Sequence, residues 1–178
     1  MNEELIIAGF GGQGVLSMGM TLAYAGMVED KQVAWIPSYG PEMRGGTANC
    51  TVIVSDTNVS SPIISSYDTA IVLNQPSLEK FEPKVKPGGL LIYESNSVLN
   101  PPTRKDIEIF PIPAAIEANN IGNKKTMNMI ILGAFLSKRA LVSNKSIMEG
   151  LSKVLPERNH HLLPINEKAL VHGQGLVK

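Results

Sequence analysis

A chain of 178 residues, 43% apolar and 18% charged, can bury one hydrophobic core and is too apolar to remain disordered. Lys+Arg and Asp+Glu both number 16, so the net charge is zero; this excludes the broad positive field of a nucleic-acid binder and removes the repulsion that keeps a lone protein apart from others. The single cysteine, Cys50, excludes an internal disulfide, a four-cysteine zinc site and an iron–sulfur cluster held by this chain, and suits a reducing cytoplasm.

The start, Met1-Asn2-Glu3-Glu4, is acidic where a signal peptide would be basic. The longest apolar stretch, residues 129–136, is too short to span a bilayer. Leu5-Ile6-Ile7-Ala8 is a short apolar run ended by glycine and predicts a strand buried on both faces. Residues 15–28 predict a helix, with Gly19, Ala23 and Gly26 forming a low ridge for close packing. Val33-Ala34-Trp35-Ile36 predicts a second strand beside the first, stopped by Pro37. A Gly- and Pro-rich loop over residues 37–46 follows, then a third strand over 48–54.

Residues 69–73 predict a fourth strand, and Pro76 suits the first turn of a short helix ending near Phe81. Lys86-Pro87-Gly88-Gly89 predicts a turn into a fifth strand over 90–93, and 107–110 a short sixth. The last third changes to helices over 126–139, over 146–155 with Ser146 as N-cap, and from near Pro164 to Gly173. This alternation predicts one α/β domain, residues 1–178. It is Rossmann-like: an open, mostly parallel sheet with helices on both faces.

Gly9-Phe10-Gly11-Gly12-Gln13-Gly14 stands between the first strand and the first helix, where glycines let a backbone turn sharply and helix N–H groups attract an anion. Three readings stay open: a dinucleotide, another anionic ligand, or a turn for close packing. Against a nicotinamide cofactor, Ile36-Pro37-Ser38 occupies the place of the ribose-binding acid, and Glu29 and Asp30 come too early. In the following loop, Arg44 could fork onto a phosphate or carboxylate, or pair with Glu42. Asn123-Lys124-Lys125-Thr126 could bring two charges to an anion or leave two solvated lysines. His160 and His161 are adjacent and face different ways, which argues against a metal site, and no nucleophile-and-base set is present. The residues describe a binding domain without a catalytic set.

Three strings occur together and in order: Gly9-Phe10-Gly11-Gly12-Gln13-Gly14-Val15; Ser38-Tyr39-Gly40-Pro41-Glu42-Met43-Arg44-Gly45-Gly46-Thr47; and Lys125-Thr126-Met127-Asn128-Met129. Together they resemble the gamma subunit of the 2-oxoacid:ferredoxin oxidoreductases, nearest the 2-oxoglutarate or branched-chain 2-oxoacid type; the pyruvate type and the beta subunit of indolepyruvate oxidoreductase share the same domain and stay as alternatives, with a stand-alone nucleotide-binding protein as the rival outside the family. The resemblance implies a subunit of an enzyme that decarboxylates a 2-oxoacid on thiamine diphosphate, passes electrons through iron–sulfur clusters to ferredoxin and leaves the acyl group on coenzyme A. It places thiamine diphosphate on alpha and beta subunits and the clusters on a ferredoxin-like delta subunit or a cluster-bearing beta subunit. This chain would hold no tightly bound cofactor, nucleic acid or membrane. It would contact coenzyme A or a partner chain through Gly9, Gly11, Gly12, Gln13, Gly14, Ser38, Tyr39, Arg44, Gly45 and Gly46.

Overall fold

The computed structural model describes residues 1–38, 47–59 and 63–177. Six strands form one sheet: β1 (Asn2–Phe10), β2 (Gln32–Ser38), β3 (Thr47–Ser55), β4 (Tyr67–Val72), β5 (Val85–Glu94) and β6 (Glu108–Ile112), in the order β2-β3-β1-β4-β5-β6. β1, β4, β5 and β6 pair in parallel, whereas β3 is antiparallel to both β1 and β2. Only β3 is reversed, so the sheet is mostly parallel, as expected. The second strand is not beside the first, however: β3 lies between them. β2 also runs through Pro37 to Ser38. An edge strand tolerates a proline whose missing N–H would face outward.

The helices are α1 (Val15–Val28), α2 (Gln75–Phe81), α3 (Ala114–Ile121), α4 (Met127–Lys138), α5 (Asn144–Val154) and α6 (Leu163–Gly175). Both faces carry helices, unequally. Alternate strand residues Leu5, Ile7, Val52, Ile71 and Ile92 pack into one large core with α1, α3, α4, α5 and α6. The intervening Ile6, Ala8, Ala70, Val72 and Leu91 face a smaller core closed by Leu78 and Phe81 of α2. Fully buried parallel strands need apolar residues on both faces, which is why Leu5-Ile6-Ile7-Ala8 reads as a continuous run.

The ridge on α1 works as the sequence suggests. A Cβ on Gly19 would meet Cys50 Sγ at 2.5 Å, and one on Gly26 would meet Val33 and Val54, so α1 lies directly on β3 and β2. A tighter contact joins α4 to α6. A Cβ on Gly133 would run into the carbonyl of Leu170, and one on Gly173 into that of Ile130. No side chain larger than hydrogen fits this crossing.

Several boundaries differ from expectation for local reasons. Ser143, not Ser146, caps α5; its hydroxyl accepts the N–H of Ser146. The turn at residues 86–89 is built into β5 as an irregularity, where Tyr67 pairs with Val85 and Thr69 with Leu90. Helix α3 was not foreseen. It follows two prolines, and its C-terminus is closed by Gly122 at φ 95°.

Candidate functional site at the carboxyl ends of the central strands

The parallel strands β1 and β4 are neighbours at the centre of the sheet, and the chain leaves them toward opposite sides. Open α/β sheets place ligands outside the carboxyl ends of such a pair. Residues 9–14 occupy this position. Gly12 and Gly14 have φ 92° and 78°, and Gly14 is the N-cap residue of α1. The first intrahelical bond runs from Met18 N to Gly14 O. The N–H groups ahead of it lie at a helix start with no side-chain cap and no acidic residue in the first turn.

The side chain of Gln13 braces the turn. Its Oε1 accepts the Phe10 N–H at 2.6 Å, and its Nε2 donates to the Leu73 carbonyl at 3.2 Å, tying the turn to the end of β4. Gly9 leaves room for this brace: a Cβ there would come 2.7 Å from Gln13 Oε1. The expected binding residues therefore divide. Gly12, Gln13 and Gly14 line a cavity of about 320 Å³ together with Ser17, and Gly11 lines a neighbouring one beside Ala48. Gly9 is buried beneath the turn.

The wall opposite the turn comes from the last third of the chain. Asn123, Lys124, Lys125, Thr126 and Asn128 line the same cavity. Asn123 Oδ1 accepts the Lys125 N–H, which forms the tight 3-10 turn Lys124–Thr126 leading into α4. Both lysines are exposed. Among the described residues that line the cavity they are the only charged ones, and none is acidic. They are thus solvated side chains, and they stand at the mouth of a cavity that begins at the glycine turn. Asn128 packs against Gly14, and its Nδ2 lies 3.5 Å from Ser17 Oγ.

The floor is formed by the connection between α5 and α6, through Leu151, Leu155, Asn159, Leu162 and Asn166. Sequence reasoning missed Asn128, Asn159 and Asn166. Asn128 lies within the third string quoted above. Asn159 and Asn166 carry no local signal, because only the tertiary fold brings them to the turn.

Ser38 ends β2 and pairs with Asn49 of β3, two strands from the turn. Tyr39, Arg44, Gly45 and Gly46, and the suggested Glu42–Arg44 pair, lie outside the described residues. Thr47, which follows them, pairs with Phe10. The neighbour of β1 on this side is therefore the reversed strand β3, whose start offers Thr47 and Ala48 beside the turn. A ribose-binding acid at the end of a parallel neighbour has no place in this arrangement, which agrees with its absence from the sequence.

No other catalytic constellation emerges among the described residues. His160 Nε2 contacts the carbonyls of Ser152 and Leu155, so it must donate to them, and His161 Nδ1 is beside the Arg158 carbonyl. Both rings are occupied locally. His172 pairs with Glu117 at 2.6 Å, between α6 and α3. No group of three or more metal-ligating side chains forms among the described residues. Cys50 is buried, and burial pushes its thiol up to about 12 against a smaller opposing pull from the Trp35 indole. A lone, protonated thiol does not fit an iron–sulfur cluster. No described helix is long and apolar enough to cross a membrane.

Residues 4–175 match the family model described as pyruvate ferredoxin/flavodoxin oxidoreductase. The chain belongs to this family. It is 30% identical over 185 residues to the 2-oxoglutarate synthase subunit KorC of Methanothermobacter marburgensis, covering 98% of this chain and 100% of that one. It is 41% identical over 131 residues to the ketoisovalerate oxidoreductase subunit VorA of Methanothermobacter thermautotrophicus, covering 74% of this chain. The chain spans only about a quarter (27%) of that relative's length. Its fold matches the gamma subunit of a keto/oxoacid ferredoxin oxidoreductase from Geobacter sulfurreducens, with a TM-score of 0.80 and 28% identity over 96% of this chain and 95% of that one.

Proposed function

We propose that this chain is the gamma subunit of a multi-subunit, thiamine diphosphate-dependent 2-oxoacid:ferredoxin oxidoreductase. The complex converts a 2-oxoacid, coenzyme A and oxidised ferredoxin into acyl-CoA, CO2 and reduced ferredoxin. We take 2-oxoglutarate as the substrate, because the relative named for it is matched from end to end as a separate subunit. A branched-chain 2-oxoacid is the alternative, on the strength of the ketoisovalerate relative. In this reading thiamine diphosphate belongs to alpha and beta subunits, and the clusters to a ferredoxin-like delta subunit.

The part played by this chain is to bind and orient. One observation carries it: the uncapped start of α1, the glycine turn and the lysines Lys124 and Lys125 all face one cavity that no acid lines among the described residues. Open N–H groups at a helix start favour a negative charge, and two ammonium groups at the rim add long-range attraction. Coenzyme A is the anionic reactant of the assigned reaction. Its phosphates are seated at residues 11–14, and Arg44 supplies a further contact to an anionic group or to a partner chain.

The test is to purify the native complex through a tag on this chain. CoA-dependent reduction of ferredoxin is expected with 2-oxoglutarate. A complex that contains this chain but shows no CoA-dependent activity with any 2-oxoacid overturns the assignment. Arg44→Ala should weaken assembly or raise the apparent KM for coenzyme A; if neither moves, that role is wrong.

A further inference from the structure

The two edges of the sheet are closed differently. On β6, Glu108 places a charge in the strand 3.7 Å from Arg139, Lys138 Nζ lies 4.4 Å from the centre of the Phe110 ring, and Pro111 removes a donor. Such devices keep an edge from pairing with another strand. The opposite edge, β2, has no charged residue and no strand beyond it among the described residues. Val33, Ala34 and Trp35 are half-buried, and Ile36 is 38% exposed. Pro37 suits an edge where its absent N–H faces away from β3; alternation then turns the N–H and C=O of Val33 and Trp35 outward as well. Beside this open strand, one stripe of α1 (Met20, Ala23, Tyr24 and Met27) forms with Trp35 an apolar groove of about 270 Å³. Met27 is 60% exposed.

We propose that β2 is the docking edge for a second copy of this chain, paired antiparallel about a two-fold axis at Trp35. Trp35 then exchanges N–H and C=O bonds with its own copy, and the Val33 N–H donates to the carbonyl of the partner's Pro37. The position of α1 singles out a second copy as the occupant. Gly19 packs against Cys50 of β3 and Trp35 of β2, and Gly26 against Val54 and Val33, so α1 runs between these two strands. Half a strand spacing on each side of the join, plus one across it, puts the two α1 helices about 10 Å apart. Packed helices stand about 8–10 Å apart. The axis keeps both helices on one face of the joined sheet, so the two stripes meet and both grooves close over the paired Trp35 rings. A lone strand from another protein would satisfy the edge and leave the groove uncovered. Zero net charge removes repulsion between the copies. No groove residue lines the cavity at the glycine turn, so the inference is independent of the ligand assigned above.

Sedimentation equilibrium and fluorescence on the purified chain test it. The chain should sediment as two copies of 19.2 kDa. Trp35 is the only tryptophan, so its emission should move to the red on dilution as the pair separates. Met27→Lys on the helix stripe and Ile36→Lys on the strand should each raise the dimer dissociation constant about a hundred-fold, since the axis buries two charges at once. Both side chains are exposed in the single chain, so the far-ultraviolet circular dichroism should stay that of the parent. A mass of one chain, with emission that ignores concentration, overturns the proposal. A dimer that survives both substitutions overturns it as well, because the copies then meet elsewhere. In the purified native complex, loss of a different subunit on Ile36→Lys, with the number of copies of this chain unchanged, overturns it in favour of a strand from that subunit.

Discussion

Asn128 lies directly against Gly14: a Cβ on Gly14 would stand 2.8 Å from Asn128 Nδ2 and 3.1 Å from Asn128 Cβ. The first residue to cap α1 and the second residue of α4 are thus in van der Waals contact, although 114 positions separate them in the chain. The contact brings the glycine turn and the lysine-bearing turn into one cavity.

Gly14→Ala meets two obstacles, because φ there is 78° and Asn128 fills the space. Holding a residue other than glycine in the left-handed region costs about 1–3 kcal/mol. Urea denaturation should show a loss of that order. Adding Asn128→Ala should recover the steric part only. Full recovery would mean that the backbone strain is absent.

The crossing of α4 and α6 predicts a larger effect far from the turn. Gly173→Ala drives a methyl group into the Ile130 carbonyl, and backbone cannot yield as a side chain does. A loss of about 3 kcal/mol is expected from overpacking of this kind. A thermal midpoint within error of the parent's would show that the helices can separate.

Lys124→Glu combined with Lys125→Glu should leave stability unchanged, since both side chains are exposed. It should raise the apparent KM for coenzyme A by about ten-fold, and the parent's KM should rise with ionic strength while the variant's does not. An unchanged KM and salt response would remove the lysines from the site.

Glu3 gives a pH signature. It is buried near the amino end of β1, where it accepts from Thr69 Oγ1 and lies 3.9 Å from Arg139 Nε. Burial raises its pKa above 4.5 despite both partners. The folded state thus holds this proton more tightly than the unfolded chain, so the stability contribution of Glu3 is fully present below about pH 4.5 and is lost as pH rises through the folded value. Glu3→Gln escapes that loss. Its melting temperature should gain on the parent's as pH is raised from acid to neutral; a gap that does not change with pH would contradict the buried, raised carboxyl.

Cys50 should ignore thiol reagents in the native protein at mildly alkaline pH, since burial pushes the thiol up to about 12. Labelling should appear only in denaturant and follow the unfolding curve. Rapid labelling of the folded protein would refute its burial under α1.

Much of this was legible in the residues. Leu5-Ile6-Ile7-Ala8 and the glycine turn after it announce a buried strand, a tight turn and a helix by purely local rules. The reversal of β3 was not legible, because Ala48-Asn49-Cys50-Thr51-Val52 has the same pattern whichever way the strand runs. Only the small number of residues between Ser38 and Thr47, fewer than a parallel crossover needs, hints at it. Ser146 reads as a cap because a serine precedes an amphipathic run; Ser143 serves instead, since its hydroxyl stands at the required three-residue offset. The turn half of the site was visible as glycines, and the lysine half as an ambiguous pair of charges. Asn159 and Asn166 were silent, because a lone asparagine in a helical region means nothing until a cavity is placed next to it.

The contact of Gly133 and Gly173 with the opposing backbones bears on how the cavity can behave. It welds α4 to α6 so closely that the Lys124–Thr126 turn leading into α4 and Leu162 and Asn166 at the start of α6 belong to one solid block. Among the described residues, the lysine-bearing wall and the floor of the cavity are then a single piece, whose spacing is set before any guest arrives. A surface shaped in advance spends none of its binding energy on ordering itself.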